Sequence, residues 1–178
     1  MYQGAMFQIP YLQLDCKDAS TKKIHILEYE RAVKQVSATT VITNYNTQEE
    51  NSTLVELVEK IFYEELQLFN KKFSLKASKI LSAWLEIAMT KMYHGLHNHG
   101  TCGFSAVYYY SYNNLQHTPT IFKSPFLNFV DSKYMEYIPR GVKEGTLLFF
   151  PSSIVHYTLP NESEEERKIL SFNLKVAI

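Results

Sequence analysis

Arg167-Lys168-Ile169-Leu170-Ser171-Phe172-Asn173-Leu174 alternates in character residue by residue. Successive side chains of a β-strand point to opposite faces, so Arg167, Ile169, Ser171 and Asn173 share one side. Lys168, Leu170, Phe172 and Leu174 take the other. An arginine, a serine and an asparagine line a dry core poorly, because a buried polar group without a partner is costly. The same residues make sense on a strand whose one face looks into a ligand cavity.

Upstream lies Ile154-Val155-His156-Tyr157-Thr158-Leu159, followed by the turn residues Pro160-Asn161. If these two strands form an antiparallel hairpin, His156 falls opposite Arg167, with Cβ atoms roughly 4.5–5.5 Å apart. A histidine beside an arginine is badly placed as a cation. It is well placed as a neutral metal ligand with an anion between the metal and the guanidinium. The run Glu162-Ser163-Glu164-Glu165-Glu166 reads as a solvated loop.

Working outward, the chain after Ala83 is rich in aromatic and branched residues. Strands are expected over Trp84–Met89, Ser105–Tyr112, Thr146–Phe150, Ile154–Leu159 and Arg167–Val176, with Gly, Asn, Ser and Pro between them. Before Ala83 the period changes. Leu54, Leu57, Val58, Ile61, Phe62, Leu66 and Phe69 recur at three- and four-residue spacing, an amphipathic helix with Thr53 and Glu56 at capping-box spacing. A second helical stretch is expected over Leu75–Ser82, and early strands over Ile24–Tyr29 and Thr39–Thr43. The expected fold is mainly β with α, a barrel or sandwich backed by N-terminal helices. One domain spans 1–178, with helical support over about 50–82 and the barrel core over about 83–176.

Composition narrows the function. Of 178 residues, 46% are hydrophobic and 20% charged, as in globular domains. Eighteen basic residues balance eighteen acidic ones, so the chain lacks the positive field of a non-specific nucleic-acid binder. The cysteines, Cys16 and Cys102, form no CxxC pair and fit a reducing compartment. No apolar run is long enough to span a bilayer, and Met1 to Asp15 lacks the charged-then-apolar pattern of a signal peptide. A cytoplasmic protein is expected.

Two of the six histidines stand in Gly95-Leu96-His97-Asn98-His99-Gly100. In extended backbone His97 and His99 point the same way, and imidazole suits iron, copper, zinc and nickel alike. His94, at odd spacing from His97, is expected on the opposite face. His25 and His117 read as surface or loop histidines. Trp84, Tyr93, Tyr110 and Phe150 read as core, and Phe122-Lys123-Ser124-Pro125-Phe126 as the mouth of the pocket.

The His-x-His segment is followed by Ser105-Ala106-Val107-Tyr108-Tyr109 and by Gly145-Thr146-Leu147-Leu148-Phe149-Phe150-Pro151-Ser152. His156, Pro160-Asn161 and Arg167 through Asn173 come next. From about Trp84 to Leu174 this order resembles the iron(II)/2-oxoglutarate oxygenase superfamily, and most closely the oxygenases of bacteriophages, especially those of marine cyanobacteria. The resemblance implies a double-stranded β-helix (a cupin-like jelly roll) and an Fe(II)- and 2-oxoglutarate-dependent dioxygenase using O2. Hydroxylation is the default outcome. It implies that His97, His99 and His156 bind the metal and that Arg167, with Tyr109 or its neighbour Tyr108, holds the far carboxylate of 2-oxoglutarate. Ser171 and Asn173, on the face of Arg167, are expected to support cosubstrate or substrate. If phage-encoded, the enzyme would work in the host-cell cytoplasm. Its substrate stays open among a protein side chain, a nucleotide and a small metabolite.

One position departs from the family pattern. Most relatives carry a carboxylate where His99 stands, so three neutral imidazoles would leave the metal's charge uncompensated until an anion binds. An acid from elsewhere, such as Glu86 on the neighbouring strand, is a candidate ligand or hydrogen-bond partner of a histidine. The rival readings are a cupin-like three-histidine metalloprotein that does not use 2-oxoglutarate, and a non-catalytic barrel that serves as a binding module.

Overall fold

A computed structural model describes residues 8–33, 36–37, 40–45, 51–101 and 103–178. Its elements run β1 (Leu12–Asp15), α1 (Ala19–Ala32), β2 (Val36–Ser37), β3 (Ile42–Thr43), α2 (Asn51–Ile61) and α3 (Tyr63–Lys72). Then follow β4 (Ala77–Ala88), β5 (Phe104–Ser111), β6 (Ile121–Leu127), β7 (Tyr134–Tyr137), β8 (Thr146–Pro151), β9 (His156–Tyr157) and β10 (Arg167–Ala177). The large sheet has the order β1-β8-β5-β10-β4-β3-β2 and the small one β7-β6-β9. All their pairings are antiparallel. This is the expected jelly roll with helices behind it.

The alternation of β10 divides two apolar layers. Leu170, Phe172 and Leu174 face the helices, where they join Leu54, Val58 and Phe69 in one core. Ile169 faces inward between the sheets and packs with Val107, Tyr109, Leu148 and Phe150. The helical layer is fastened by stacked rings, with Phe69 4.5 Å from Phe149, and by one carboxylate. Glu30 of α1 accepts hydrogen bonds from Tyr110 Oη (2.9 Å) and Lys168 Nζ (2.7 Å).

Three expectations about local structure are corrected. Ile24–Tyr29 is not a strand but the middle of α1. Ile26 is buried there while Ile24 is exposed, a split that a two-residue period cannot produce and a helix can. Leu75–Ser82 is not helical: from Ala77 it belongs to β4, because β10 offers partners from Ala77 to Ala88 and that ladder overrides local spacing. The helical support therefore comprises 19–32, 51–61 and 63–72, and the barrel strand begins at 77 rather than 83. Helix α2 starts two residues before Thr53. Of the strand expected over Thr39–Thr43, Ile42–Thr43 is formed, and Thr39 lies outside the described residues, as does Cys102.

The hairpin between His156 and Arg167 is the third correction. The two strands lie in different sheets. Arg167 pairs with Ala88, whereas His156 pairs with Phe122 and bridges to His97. Residues 91–99 run beside 152–161, with His97 and His156 exchanging both backbone bonds (3.0 and 2.9 Å). They continue the small sheet and carry the histidines inward. No described helix is long and apolar enough to cross a membrane.

Candidate metal centre

The irregular segment 91–99 builds the site. His99 N–H donates to Ser152 O (2.9 Å), fixing the segment beyond the bridge. Gly100 then turns the chain at φ +69°, in the left-handed region that glycine tolerates best. His97, His99 and His156 each present one ring nitrogen to a common point, the three atoms lying within 4.8 Å of one another. Their ring centroids are 4.2–5.1 Å apart.

Hydrogen bonds select the tautomers. His97 Nδ1 faces Gly95 O at 2.8 Å and His156 Nδ1 faces Ile154 O at 2.9 Å. A carbonyl oxygen only accepts, so each Nδ1 carries the proton and each Nε2 keeps its lone pair. Burial lowers the His97 pKa, with the charge of His94 adding to it. Burial likewise pushes His99 down to about 4 and His156 to about 3, each helped by repulsion from His97. The three rings are neutral donors at ordinary pH, which suits a divalent transition metal.

Around them, Val107, Ile169 and Ser171 wall the same pocket, with Thr120 and Thr158. The threonines lead to the two groups expected to hold an anion. Arg167 is buried and donates from Nη2 to Thr158 Oγ1 (2.8 Å) and from Nη1 to Thr118 O (3.1 Å) and Leu159 O (3.4 Å). Burial lowers its pKa from the usual guanidinium value, against the pull of Tyr109 and Glu86. Tyr109 Oη donates to Thr120 Oγ1 (3.0 Å) and accepts from Thr120 N–H (3.1 Å). Tyr108 points into the helical core, so of the two tyrosines Tyr109 faces the interior.

Not every expected residue reaches the pocket. Asn173 is used inside the sandwich, accepting from Ser105 Oγ (2.7 Å) and donating to Ser82 Oγ (3.2 Å). Phe122, Lys123 and Ser124 line a different, larger cavity of about 350 Å³, with Tyr11, Tyr137 and Phe150. Phe122 and Phe150 also pack on His156, so their rings separate that cavity from the histidines. His117 is buried in its loop, accepting from Asn113 N–H at Nδ1 (3.0 Å). Tyr93 is exposed, whereas Trp84, Tyr110 and Phe150 are buried as expected.

His94 does not point away from His97, as odd spacing in a strand would require. The backbone at 94–97 is not a regular strand, and the His94 ring stacks on His97 (3.8 Å, 14°) at the pocket wall. Trp84, read as core, packs against His99 (5.2 Å) and donates to Glu86 Oε1 (2.8 Å). Its indole N–H two residues before an inward-facing acid was the available signal, since residues i and i+2 share a face.

A sequence profile described as "Putative 2OG-Fe(II) oxygenase" matches residues 82–173. No curated protein matches. Solved structures share the fold. An oxidoreductase of the 2OG-Fe(II) oxygenase family from Burkholderia pseudomallei is 12% identical with a TM-score of 0.67, covering 93% of this chain and 84% of its own. A viral collagen prolyl hydroxylase from Paramecium Bursaria Chlorella virus-1, solved with 2OG, is 15% identical with a TM-score of 0.60, covering 94% and 96%. HygX from Streptomyces hygroscopicus, solved with nickel, 2-oxoglutarate and hygromycin B, is 10% identical with a TM-score of 0.65, covering 94% and 83%.

Proposed function

Because the chain belongs to the 2OG-Fe(II) oxygenase family, we propose that it is a dioxygenase, by default a hydroxylase, whose iron(II) is held by His97, His99 and His156. The observation that carries this reading is the convergence of three neutral imidazole nitrogens within 4.8 Å, two with their tautomers fixed by backbone carbonyls. The three histidines would hold iron(II), which with dioxygen would supply the oxidising chemistry: 2-oxoglutarate oxidised and split to succinate and carbon dioxide, coupled to oxidation of a substrate.

The chain's own residues supply position and shelter. Three of the five N–H donors of Arg167 are spent on Thr158, Thr118 and Leu159, which hold the guanidinium plane rigid. The remaining pair offers the far carboxylate of 2-oxoglutarate a fork. Tyr109, held by Thr120, stands on the same interior layer, and the Ser171 hydroxyl offers a further bond from the pocket wall. Val107 and Ile169 keep that wall apolar, which limits water at the reacting centre. Asn173 serves the reading only indirectly, by bracing Ser105 against β4. The substrate class, the cytoplasm as workplace and the kinship with phage enzymes rest on the sequence reading.

The test is succinate release from 2-oxoglutarate with Fe(II) and ascorbate, compared with His156→Ala. Turnover in the parent and none in the variant is expected. Absence of both turnover and 2-oxoglutarate binding in the metal-loaded parent would refute the proposal. One observation favours a second reading: the ligand set is all imidazole, as in three-histidine metalloenzymes without 2-oxoglutarate. Titration of 2-oxoglutarate into the manganous protein separates the two.

A further inference from the structure

Resting on the metal site proposed above, we propose that Glu86 supplies, from behind the histidines, the negative charge that a ligand carboxylate at position 99 would have supplied. Among the described residues it is the one acidic side chain on the wall of the histidine pocket, and it is buried. Both carboxylate oxygens are fixed. Oε1 accepts from Trp84 Nε1 (2.8 Å) and Oε2 accepts from His94 Nδ1 (2.9 Å).

The two residues that hold Glu86 also pack on two of the histidines. His94 stacks on His97 at 3.8 Å, and Trp84 lies 5.2 Å from His99. The carboxylate, its two holders and two of the three metal-facing rings therefore form one contiguous cluster. A buried carboxylate is tolerated only where it is hydrogen-bonded or answered by a positive charge. Burial raises the Glu86 carboxyl, but the bond and charge of His94 and the bond from Trp84 outweigh it and hold the group at about 2. The titratable and charged groups facing it are His94, His97 and, from β10, Arg167. Held by two N–H donors on the wall of the histidine pocket, the carboxylate would offer its charge to a divalent ion bound by those histidines.

This role differs from ligation and from simple bracing, and opposite signs expose it. In Glu86→Gln, Mn(II) affinity falls, whereas 2-oxoglutarate binding to the Mn(II)-saturated protein is unchanged or tighter, because a repelling carboxylate is gone. Bracing alone would weaken both. Isothermal titration of the parent, Glu86→Gln and His156→Ala reads each quantity, with far-UV circular dichroism and melting as the control for folding.

The expected loss in Glu86→Gln is roughly 10–100-fold in Mn(II) affinity, the size typical of removing a group that supports metal ligands. The cobalt(II) absorption bands should keep their positions, because Glu86 is not a ligand. Trp84→Phe, which removes the N–H that orients the carboxylate while keeping an aromatic ring, should move Mn(II) affinity the same way by less, and it carries the test if Glu86→Gln does not fold. Parental Mn(II) affinity in Glu86→Gln, parallel loss of Mn(II) and 2-oxoglutarate, or shifted cobalt bands would each overturn the proposal. In those cases loss of Mn(II) in His156→Ala leaves the metal site standing. Retention of Mn(II) by His156→Ala would instead remove the site itself.

Discussion

Arg167→Lys separates the geometry of the proposed anchor from its charge. Arg167 has five donors, and three are held by Thr158 Oγ1, Thr118 O and Leu159 O. On the proposed reading the two left over would offer a carboxylate a bidentate contact. Lysine keeps the positive charge but lacks the planar fork, so one charge-assisted hydrogen bond is lost, about 1.5–3 kcal/mol. At about 1.4 kcal/mol per tenfold, the dissociation constant of 2-oxoglutarate should rise roughly 10- to 100-fold. The internal bonds suffer too. Losing one or two neutral-acceptor bonds costs about 1–3 kcal/mol, or roughly 2–4 °C of melting temperature per kcal/mol for a chain of this size. The assay is titration of 2-oxoglutarate into anaerobic Mn(II)-loaded protein, beside a melting curve and an Mn(II) titration. Parental 2-oxoglutarate affinity in the variant would refute the reasoning. So would an Mn(II) affinity that falls as far as the 2-oxoglutarate affinity, since Arg167 would then be shaping the histidine site.

Glu30→Ala should destabilise the fold by about 2–4 kcal/mol, because it strips a partner from Tyr110 Oη and from half-buried Lys168; urea unfolding measures this, and metal affinity should stay at the parental value. Phe149→Ala empties a site stacked on Phe69 and should cost about 3–5 kcal/mol by the same measurement. The metal-free protein should lose stability as pH falls below about 6.5. His156 and His99 have folded values depressed to about 3 and about 4, so between those values and 6.5 the unfolded chain binds protons that the folded chain does not. Their contribution is complete above pH 6.5 and is lost on acidification, at up to about 1.4 kcal/mol per pH unit for buried His156. His94, whose value Glu86 raises against the effect of burial, acts oppositely, and its stabilisation fades as pH rises through its folded value. Urea midpoints at pH 7.5, 6.5 and 5.5 that rise toward acid would contradict the neutral-donor picture.

The sequence by itself determined whatever depends on period. The alternation of β10 separated Ile169 and Ser171 from Leu170 and Phe172, and the two apolar layers of the fold follow that division. The spacing of Leu54, Val58 and Phe69 likewise placed the helical layer, and the order of motifs from His97 to Arg167 carried the family. Period failed where partners decide. Leu75–Ser82 has helical spacing yet becomes strand because β10 pairs with it, and Ile24–Tyr29 has strand composition yet becomes helix, with Ile26, Leu27 and Tyr29 against the core and Ile24 exposed.

The site divides in the same way. His97 and His156 were legible as inward-facing residues, but their mutual register was not. His156 bonds to His97 across the small sheet, and Arg167 belongs to the other sheet and is tied to the pocket wall by its bond to Thr158. The Trp84–Glu86–His94 cluster joins β4 to an irregular segment whose ring directions follow neither a two- nor a 3.6-residue period. Local backbone geometry sets a face, so sequence can name it. Which faces meet, and which carboxylate answers a missing charge, depends on contacts between residues far apart in the chain, and only the folded structure decides those.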